Sequence, residues 1–467
     1  MSETRKDTPA VKPGSAEGKI TPNPFADLDA RWEAWYQNAH DHGNPEMPHV
    51  KLGIAPTVEG LEKELWVKAN LLTEGLCFDK TALEGVSEIY REQSRWLFDW
   101  NHGEHHHYLP EELVLPMDTI IQVRENKDSR WKCIVEDGVL MLKRDEKMVI
   151  EARHIPRPAY YGKEASDGII MRRVAPKRGQ DCLVLNYSPF CMYWVTNDGC
   201  DFCNIVPTMN WNKDDLQLSR RTIDQIGATT KAAFDEACVR HILLTGGFLK
   251  REVKKNGEVL DREGERILSI IKVMQEALQQ DEIPVNVIRT APEDLDTIAV
   301  QKEQGVYSVA YNLEIWEPHL FERYCRGKNN VQGRDHWLKA LEVAAEVYGP
   351  GRVGTHFVAG FRESANSLLE GVEWMSERGI GSIPLVWSPV EGTPYAKERS
   401  PSADWYLDVT RKIAEIRLKH GVDTFEPAAL PNDCHWCAMP NMIADELRLQ
   451  RLKRDTEAST QESAPPS

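Results

Sequence analysis

The chain lacks any excess of basic residues. Its 57 lysines and arginines stand against 73 acids, for a formal net charge of −16 at pH 7. That balance repels phosphate backbones and anionic lipid, so a general nucleic-acid or membrane surface is not expected. It also lacks an apolar run near the roughly 20 residues a transmembrane helix needs. The opening Met1-Ser-Glu-Thr-Arg-Lys-Asp is polar throughout, without the apolar stretch of a secretory leader. The expectation is a cytoplasmic protein. Its ten cysteines then read as thiols and metal ligands in a reducing compartment, not as a disulfide framework. A length of 467 residues suffices for a large core and two or more folding units.

Three of those cysteines stand close together. Eight residues separate Cys191 from Cys200, and two separate Cys200 from Cys203. The apolar run Leu183-Val-Leu-Asn precedes them and predicts a strand, so the thiols occupy a post-strand loop. Three thiolates on one loop can hold three corners of a [4Fe–4S] cluster and leave the fourth iron to a ligand that is not protein. A fully structural site would supply four ligands, and the loop has no fourth cysteine. On spacing alone, a zinc knuckle or buried free thiols stay open as readings.

Strand-like and helix-like runs alternate from about residue 183. Strands are expected over 183–186, 241–245, 285–289, 308–312, 353–359 and 383–387. Helical patterns lie between, clearest over 335–347 and over 363–378, where Leu368, Leu369, Val372 and Met375 share a face. Six such repeats predict an α/β fold, a partial or full (β/α) barrel with its active site at the C-terminal strand ends. The expected division is a disordered tail over 1–25, an accessory region of helices and then a small β unit over 26–165, the barrel over 166–425, and a C-terminal segment with a disordered tail over 426–467. Within the accessory region, helices are expected from near Asp27 and over 72–99, and four short strands between 119 and 152. Glu136-Asp137-Gly138 fits a tight hairpin turn there. His102, Glu104 and His105 to His107 read as a polar loop, since no regular spacing supports a metal site. Cys77, Cys133, Cys238 and Cys325 are isolated and read as buried packing.

Cys200-Asp-Phe202-Cys203 resembles the end of the radical S-adenosylmethionine (radical SAM) motif, in which an aromatic residue precedes the last cysteine. The common spacing would place the first cysteine at Thr196, and Cys191 is the candidate ligand instead. Later strand ends add to the resemblance. Thr245-Gly246-Gly247 is similar to the glycine pair that meets the amino group of S-adenosylmethionine, with Phe248 where an acid often follows. Asn312 and Glu314 match a segment of biotin synthase and its relatives that reaches ribose or substrate. Val358, Gly360 and Glu363 match the family's fifth-strand segment, with His356 in place of its first glycine. Val386 and the Gly392-Thr393-Pro394 turn are similar to the adenine-holding strand and turn. The resemblance covers roughly 183–420 and leans to the biotin synthase-like branch.

The resemblance implies a radical SAM enzyme. A [4Fe–4S] cluster on Cys191, Cys200 and Cys203 would bind S-adenosylmethionine, with Phe202 beside it. A ferredoxin or flavodoxin would donate one electron. The resulting 5′-deoxyadenosyl radical would take hydrogen from a small-molecule substrate. The region before residue 180 would serve as a lid or docking surface. Cys434 and Cys437 form a candidate second site, for an auxiliary iron–sulfur group or zinc, with Cys182 as a candidate partner. The alternatives are sulfur insertion or methyl transfer using that second site, or a non-catalytic zinc-binding α/β protein.

Overall fold

The computed structural model describes residues 55–84, 92–93, 108–155, 158–207, 221–236, 239–249, 252–253, 255, 259–390, 392–422 and 440–462. The expected N-terminal tail, the helix near Asp27, the histidine-rich loop, Cys238, Cys434 and Cys437 lie outside them, as do residues 463–467 of the expected C-terminal tail.

The first described helix, α1 (Val58–Glu74), starts where the Thr57 hydroxyl accepts the Gly60 N–H, and stops at Gly75, whose φ is 74°. The helix expected over 72–99 is therefore wrong in place. Only its first residues belong to α1, and the chain turns at Gly75 into the short strand β1 (Cys77–Phe78) and a 3₁₀ turn at Lys80–Leu83. Further on, Glu92–Gln93 is a strand. The helix that exists was signalled by its Thr57 cap and by Leu61, Leu65 and Leu72 on one face.

The small β unit is present. β2 (Glu112–Val114) and β3 (Ile120–Gln122) pair with each other. β4 (Trp131–Glu136), β5 (Val139–Arg144) and β6 (Lys147–Glu151) form a meander that β1 joins. β7 (Arg153–His154) adds to β2. The hairpin turn has Asp137 at φ 51° and Gly138 at φ 79°, the paired positive values of a type I′ turn. A separate core of Val67, Leu71, Trp131, Cys133, Leu140 and Leu142 supports this unit.

The central sheet has seven strands. A two-residue edge strand, β8 (Lys177–Arg178), pairs antiparallel with β9 (Cys182–Ser188). Then follow β10 (His241–Gly246), β11 (Val285–Arg289), β12 (Ser308–Tyr311), β13 (Val353–Ala359) and β14 (Gly381–Val386), all parallel and in chain order. All six expected strands are there, within two residues at each end. The sheet curls as a half-barrel, so the partial form of the expected barrel is the one found. β13 is buried along its whole length, as a strand covered on both faces must be.

Around the sheet lie α3 (Ile223–Asp235), α4 (Arg262–Leu278), α5 (Thr297–Glu303), α8 (Arg334–Tyr348), α9 (Ala365–Ser376) and α10 (Ala403–Lys419). Between β9 and α3 sits the single turn α2 (Met192–Val195), and between β12 and α8 the pair α6 (Pro318–Tyr324) and α7 (Arg326–Val331). The last helix, α11 (Ile443–Glu462), holds to α1 through the buried ion pair Lys68–Asp445 at 2.6 Å. The open edge of β14 is occupied. Arg124 donates to Val386 O at 3.2 Å, Arg417 donates to Ser382 O at 3.2 Å, and the Val386 N–H donates to Pro440 O at 2.7 Å.

Candidate functional site

The cysteine loop leaves the C-terminal end of β9, as expected. Cys191 and Cys203 are half-buried and Cys200 is buried. Thr196, the position the common spacing would choose, sits at the end of α2 with its hydroxyl on Met192 O and Tyr193 O, both at 3.2 Å. The additional residues after Cys191 are thus taken up by α2 and by a turn with Asn197 at φ 63°.

Two neighbours clasp this loop. On the β10 side, the Met192 N–H donates to Phe248 O at 2.9 Å, and the Phe248 ring stacks on Tyr193 at 4.4 Å between centroids. The glycine pair makes this approach feasible: a side chain at Gly247 would run into Phe190 O and come within 2.7 Å of Cys191 Cβ. On the α6–α7 side, the Asp201 N–H donates to Tyr324 O at 3.1 Å and the Gly327 N–H to Asp198 O at 2.9 Å. Arg326 adds bonds to Asp201 Oδ1 at 2.7 Å and Gly199 O at 3.3 Å.

The thiols feel one another. Burial, then the Cys200 neighbour, pushes the Cys203 thiol up to about 12, and burial raises Cys191 as well, against backbone hydrogen bonds that lower it. Cys200 is raised by the neighbouring Cys325 thiol, then by burial. Among the described residues no three His, Cys, Asp or Glu side chains converge as tightly as one metal ion requires. A four-iron cube spreads its thiolates more widely than a single ion does. The all-thiol donor set on one loop fits such a cube, with Cys191, Cys200 and Cys203 as the residues that would hold it.

Across the rim, a buried polar network joins β12 to β13. Lys328 on α7 donates to Asn312 O at 2.6 Å and to Glu314 Oε1 at 2.9 Å, and lies 4.4 Å over the Trp337 ring. Glu314 has φ 73° and bridges to β13: its N–H donates to His356 O, and its carbonyl accepts the Val358 N–H. Asn312 Nδ2 lies 3.1 Å from His356 Nδ1. Burial and then the Lys328 charge hold His356 down to about 3, so its imidazole is neutral and accepts the Asn312 amide proton.

The remaining expected residues have visible packing partners. Phe202 meets Phe361 edge-on at 5.4 Å. Thr245 pairs in register with Asn186, and Gly246 packs against Tyr187. Gly360 has φ 83°, and a side chain there would strike the Tyr406 hydroxyl. Gly392, at φ 80°, lies against Pro207, and Thr393 donates to Val390 O at 2.7 Å. Glu363 accepts the Glu317 N–H at 2.7 Å and the Ser367 hydroxyl at 2.9 Å, tying the loops after β12 and β13 together. Lys328 and Cys325 have no counterpart among the expected site residues. Neither stands in a spacing pattern, so only the packing of α6 and α7 against the cysteine loop identifies them.

A cavity of about 280 Å³ opens where β10 and β11 end, lined by Phe248, Asp261, Glu263, Arg289 and Gln332 among others. Its floor is a closed charge set. Arg289 donates to both Asp261 oxygens at 2.9 and 2.6 Å, and Glu263 accepts the Thr290 N–H at 2.8 Å. Burial drives the Asp261 carboxyl up, but Arg289 outweighs it and leaves the group below its ordinary value.

No protein-family model matches the chain. The bacteriochlorophyllide c C-7(1)-hydroxylase of Chlorobaculum limnaeum is 26% identical over 249 residues, which are 52% of this chain and 61% of that protein. That relative is a hydroxylase of the radical SAM type. The radical SAM resemblance read from the sequence agrees with that relative's type, and the likeness spans less than two thirds of the relative's length. Among solved structures, methylornithine synthase is 16% identical with a TM-score of 0.36, covering 62% of this chain and 88% of its own. The [FeFe]-hydrogenase maturase HydG is 14% identical with a TM-score of 0.34, covering 56% of this chain and 52% of its own. Among the described residues no helix is long and apolar enough to cross a membrane.

Proposed function

We propose that this protein is a radical SAM enzyme that starts its reaction by removing hydrogen from a C–H bond of a small molecule, in the cytoplasm. The carrying observation is the all-thiol loop at the C-terminal end of β9, clasped between Gly247-Phe248 and the α6–α7 elbow. When bound, a reduced [4Fe–4S] cluster on Cys191, Cys200 and Cys203 would supply the electron that cleaves S-adenosylmethionine to a 5′-deoxyadenosyl radical. A ferredoxin or flavodoxin is the proposed donor of that electron.

The chain's own residues bind and enclose. Asn312, Glu314 and Lys328 form the polar side of the rim, where ribose hydroxyls find both donors and acceptors. The strand-end backbone at Val358, Gly360 and Val386, with the Gly392-Thr393 turn, is the proposed adenine side, in keeping with the lean to the biotin synthase-like branch. Phe202, Phe361, Tyr324 and Tyr395 form an aromatic wall with centroids 5.1–5.9 Å apart, which keeps water from the cysteines. The cavity floored by Arg289 is the proposed substrate space, since it meets the loop through Phe248. The relative is by name a hydroxylase, and replacing a C–H bond with C–OH begins by breaking that bond.

Anaerobic reconstitution tests this directly. The full chain should take up about four irons with acid-labile sulfide, and after reduction should turn S-adenosylmethionine into 5′-deoxyadenosine. Zinc bound in place of iron and sulfide, with no 5′-deoxyadenosine, would sink the reading.

A further inference from the structure

Glu314 stands in a backbone conformation that side chains rarely adopt. Its φ is 73°, and two bonds to β13 hold it there: its N–H donates to His356 O at 2.9 Å, and its carbonyl accepts the Val358 N–H at 2.8 Å. The side chain is fixed as well. Lys328 Nζ donates to Glu314 Oε1 at 2.9 Å and to Asn312 O at 2.6 Å, and lies 4.4 Å from the Trp337 ring centre. The lysine and glutamate side chains are 10% and 14% exposed. Among the described residues nothing bonds Glu314 Oε2, and that oxygen is not sealed from solvent. The lysine rides on α7, whose Gly327 N–H bonds Asp198 O and whose Arg326 bonds Asp201 and Gly199. One short helix thus places the ammonium relative to both the cysteine loop and the end of β12. Lys328 matches no part of the motif that the chain resembles.

We propose that Lys328 is a positioning residue for cofactor binding: it neutralises Glu314, occupies Oε1 and leaves Oε2 as the one oxygen open to a neutral vicinal diol such as ribose. The inference rests on the function proposed above. A nearly buried carboxylate with no partner draws a cation, either a metal ion or an ammonium group. The Lys328–Glu314 pair is neutral as a whole, so Oε2 is left to accept hydroxyl protons. Holding the carboxylate in place beforehand also removes side-chain freedom that binding would otherwise have to freeze. The lysine itself has two of its three N–H groups engaged by Asn312 O and Glu314 Oε1, so it acts on the diol through the glutamate.

The test uses the full chain, reconstituted anaerobically, with iron content and calorimetric binding of two probes, S-adenosylmethionine and its 2′-deoxyribose analogue. The wild type should bind the ribose form more tightly. Lys328→Met should keep wild-type iron, bind S-adenosylmethionine about tenfold more weakly or worse, and lose most of the preference for ribose. Lys328→Arg, which keeps the charge, should fall between the two. Where the lone carboxylate left in Lys328→Met prevents folding, the neutral pair Lys328→Met with Glu314→Gln carries the test, and it should bind both probes as Glu314→Gln alone does. Lys328→Met that binds like the wild type, or that weakens both probes equally, would overturn the inference and leave the cluster reading intact. A further loss in the double variant beyond that of Glu314→Gln would do the same, as would a wild type with no preference for ribose. Iron lost from Lys328→Met would make the lysine a support of the cysteine loop and overturn the inference too. Wild-type protein that takes up no cluster and binds neither probe would remove the proposed function and this inference with it.

Discussion

The two ends of the cysteine loop are fastened by different chemistry. The Cys191 end rests on a ring stack, on one backbone bond from Met192 to Phe248 O and on the bare backbone of Gly247, and beside it Phe190 and Val195 are 49% and 71% exposed. The Cys200 end is buried, bonded through its backbone to the α6–α7 elbow and flanked by Arg326, Cys325 and Lys328. One backbone bond beside a ring stack and a glycine tolerates changes of length better than two backbone bonds reinforced by Arg326. The unusual spacing falls at the tolerant end: α2 and the Asn197 turn absorb the additional residues, and Cys200-Asp-Phe202-Cys203 keeps its family-like form where the elbow grips it.

That contrast can be broken at each end. The largest effect is expected from Cys191→Ala and Cys200→Ala, each of which should abolish cluster uptake measured as iron and sulfide per chain. A full complement in Cys191→Ala would show that the tolerant end carries no ligand. Next comes Gly247→Ala. Its added methyl has no room beside Phe190 O and Cys191, so overpacking should cost about 1–3 kcal/mol in denaturant unfolding, with faster iron loss at the Cys191 end. Unchanged stability would mean that the loop slides freely over β10.

The rim behind the Cys200 end offers a pH test. His356 is held at about 3 against an ordinary 6.5. Between those values the unfolded chain takes up a proton that the native chain refuses, so this group's contribution is intact above 6.5 and is lost as pH falls toward 3. Its slope is at most about 1.4 kcal/mol per pH unit. The wild type should therefore lose more stability than His356→Gln between pH 6.5 and 5, compared by urea midpoints; parallel losses would mean that His356 protonates in place. The smallest effect is expected from Arg326→Ala. Its ion pair with Asp201 is 41% exposed on the arginine side, so only about 0.5–1 kcal/mol should go. Iron retention, measured as release to a chelator, should nonetheless fall at the Cys200 end; no change would show that the backbone bonds alone suffice.

Much of the scaffold was legible because parallel strands covered on both faces are written as short apolar runs. Val285–Arg289 and Val353–Ala359 match their expected bounds. The helix expected over 72–99 does not run on from α1, because Gly75 at φ 74° stops that helix at Glu74; Ile89, Tyr90, Trp96 and Leu97, which suggested a helical face, lie outside the described residues. The Lys328–Glu314 pair was not legible. Glu314 was read from the resemblance as a partner of ribose, but a lysine 14 residues on carries no sign that α7 folds it back beneath the same strand end. Cys325, isolated in sequence, was read as packing, and its contact with Cys200 exists only once the elbow closes on the loop.

An open half-barrel exposes two rows of unspent backbone groups, each an invitation for another extended chain to join. Here both invitations are withdrawn. The two-residue strand Lys177–Arg178 covers one flank and is too short to template much beyond itself. On the other flank Pro384 offers no N–H at all, the Ser382 and Val386 carbonyls are already taken by the guanidinium groups of Arg417 and Arg124, and the Val386 N–H is spent on Pro440. The accessory unit, by sending in Arg124, thereby protects the sheet from edge-to-edge self-assembly, and the fold can leave its barrel unclosed without that flank seeding aggregates.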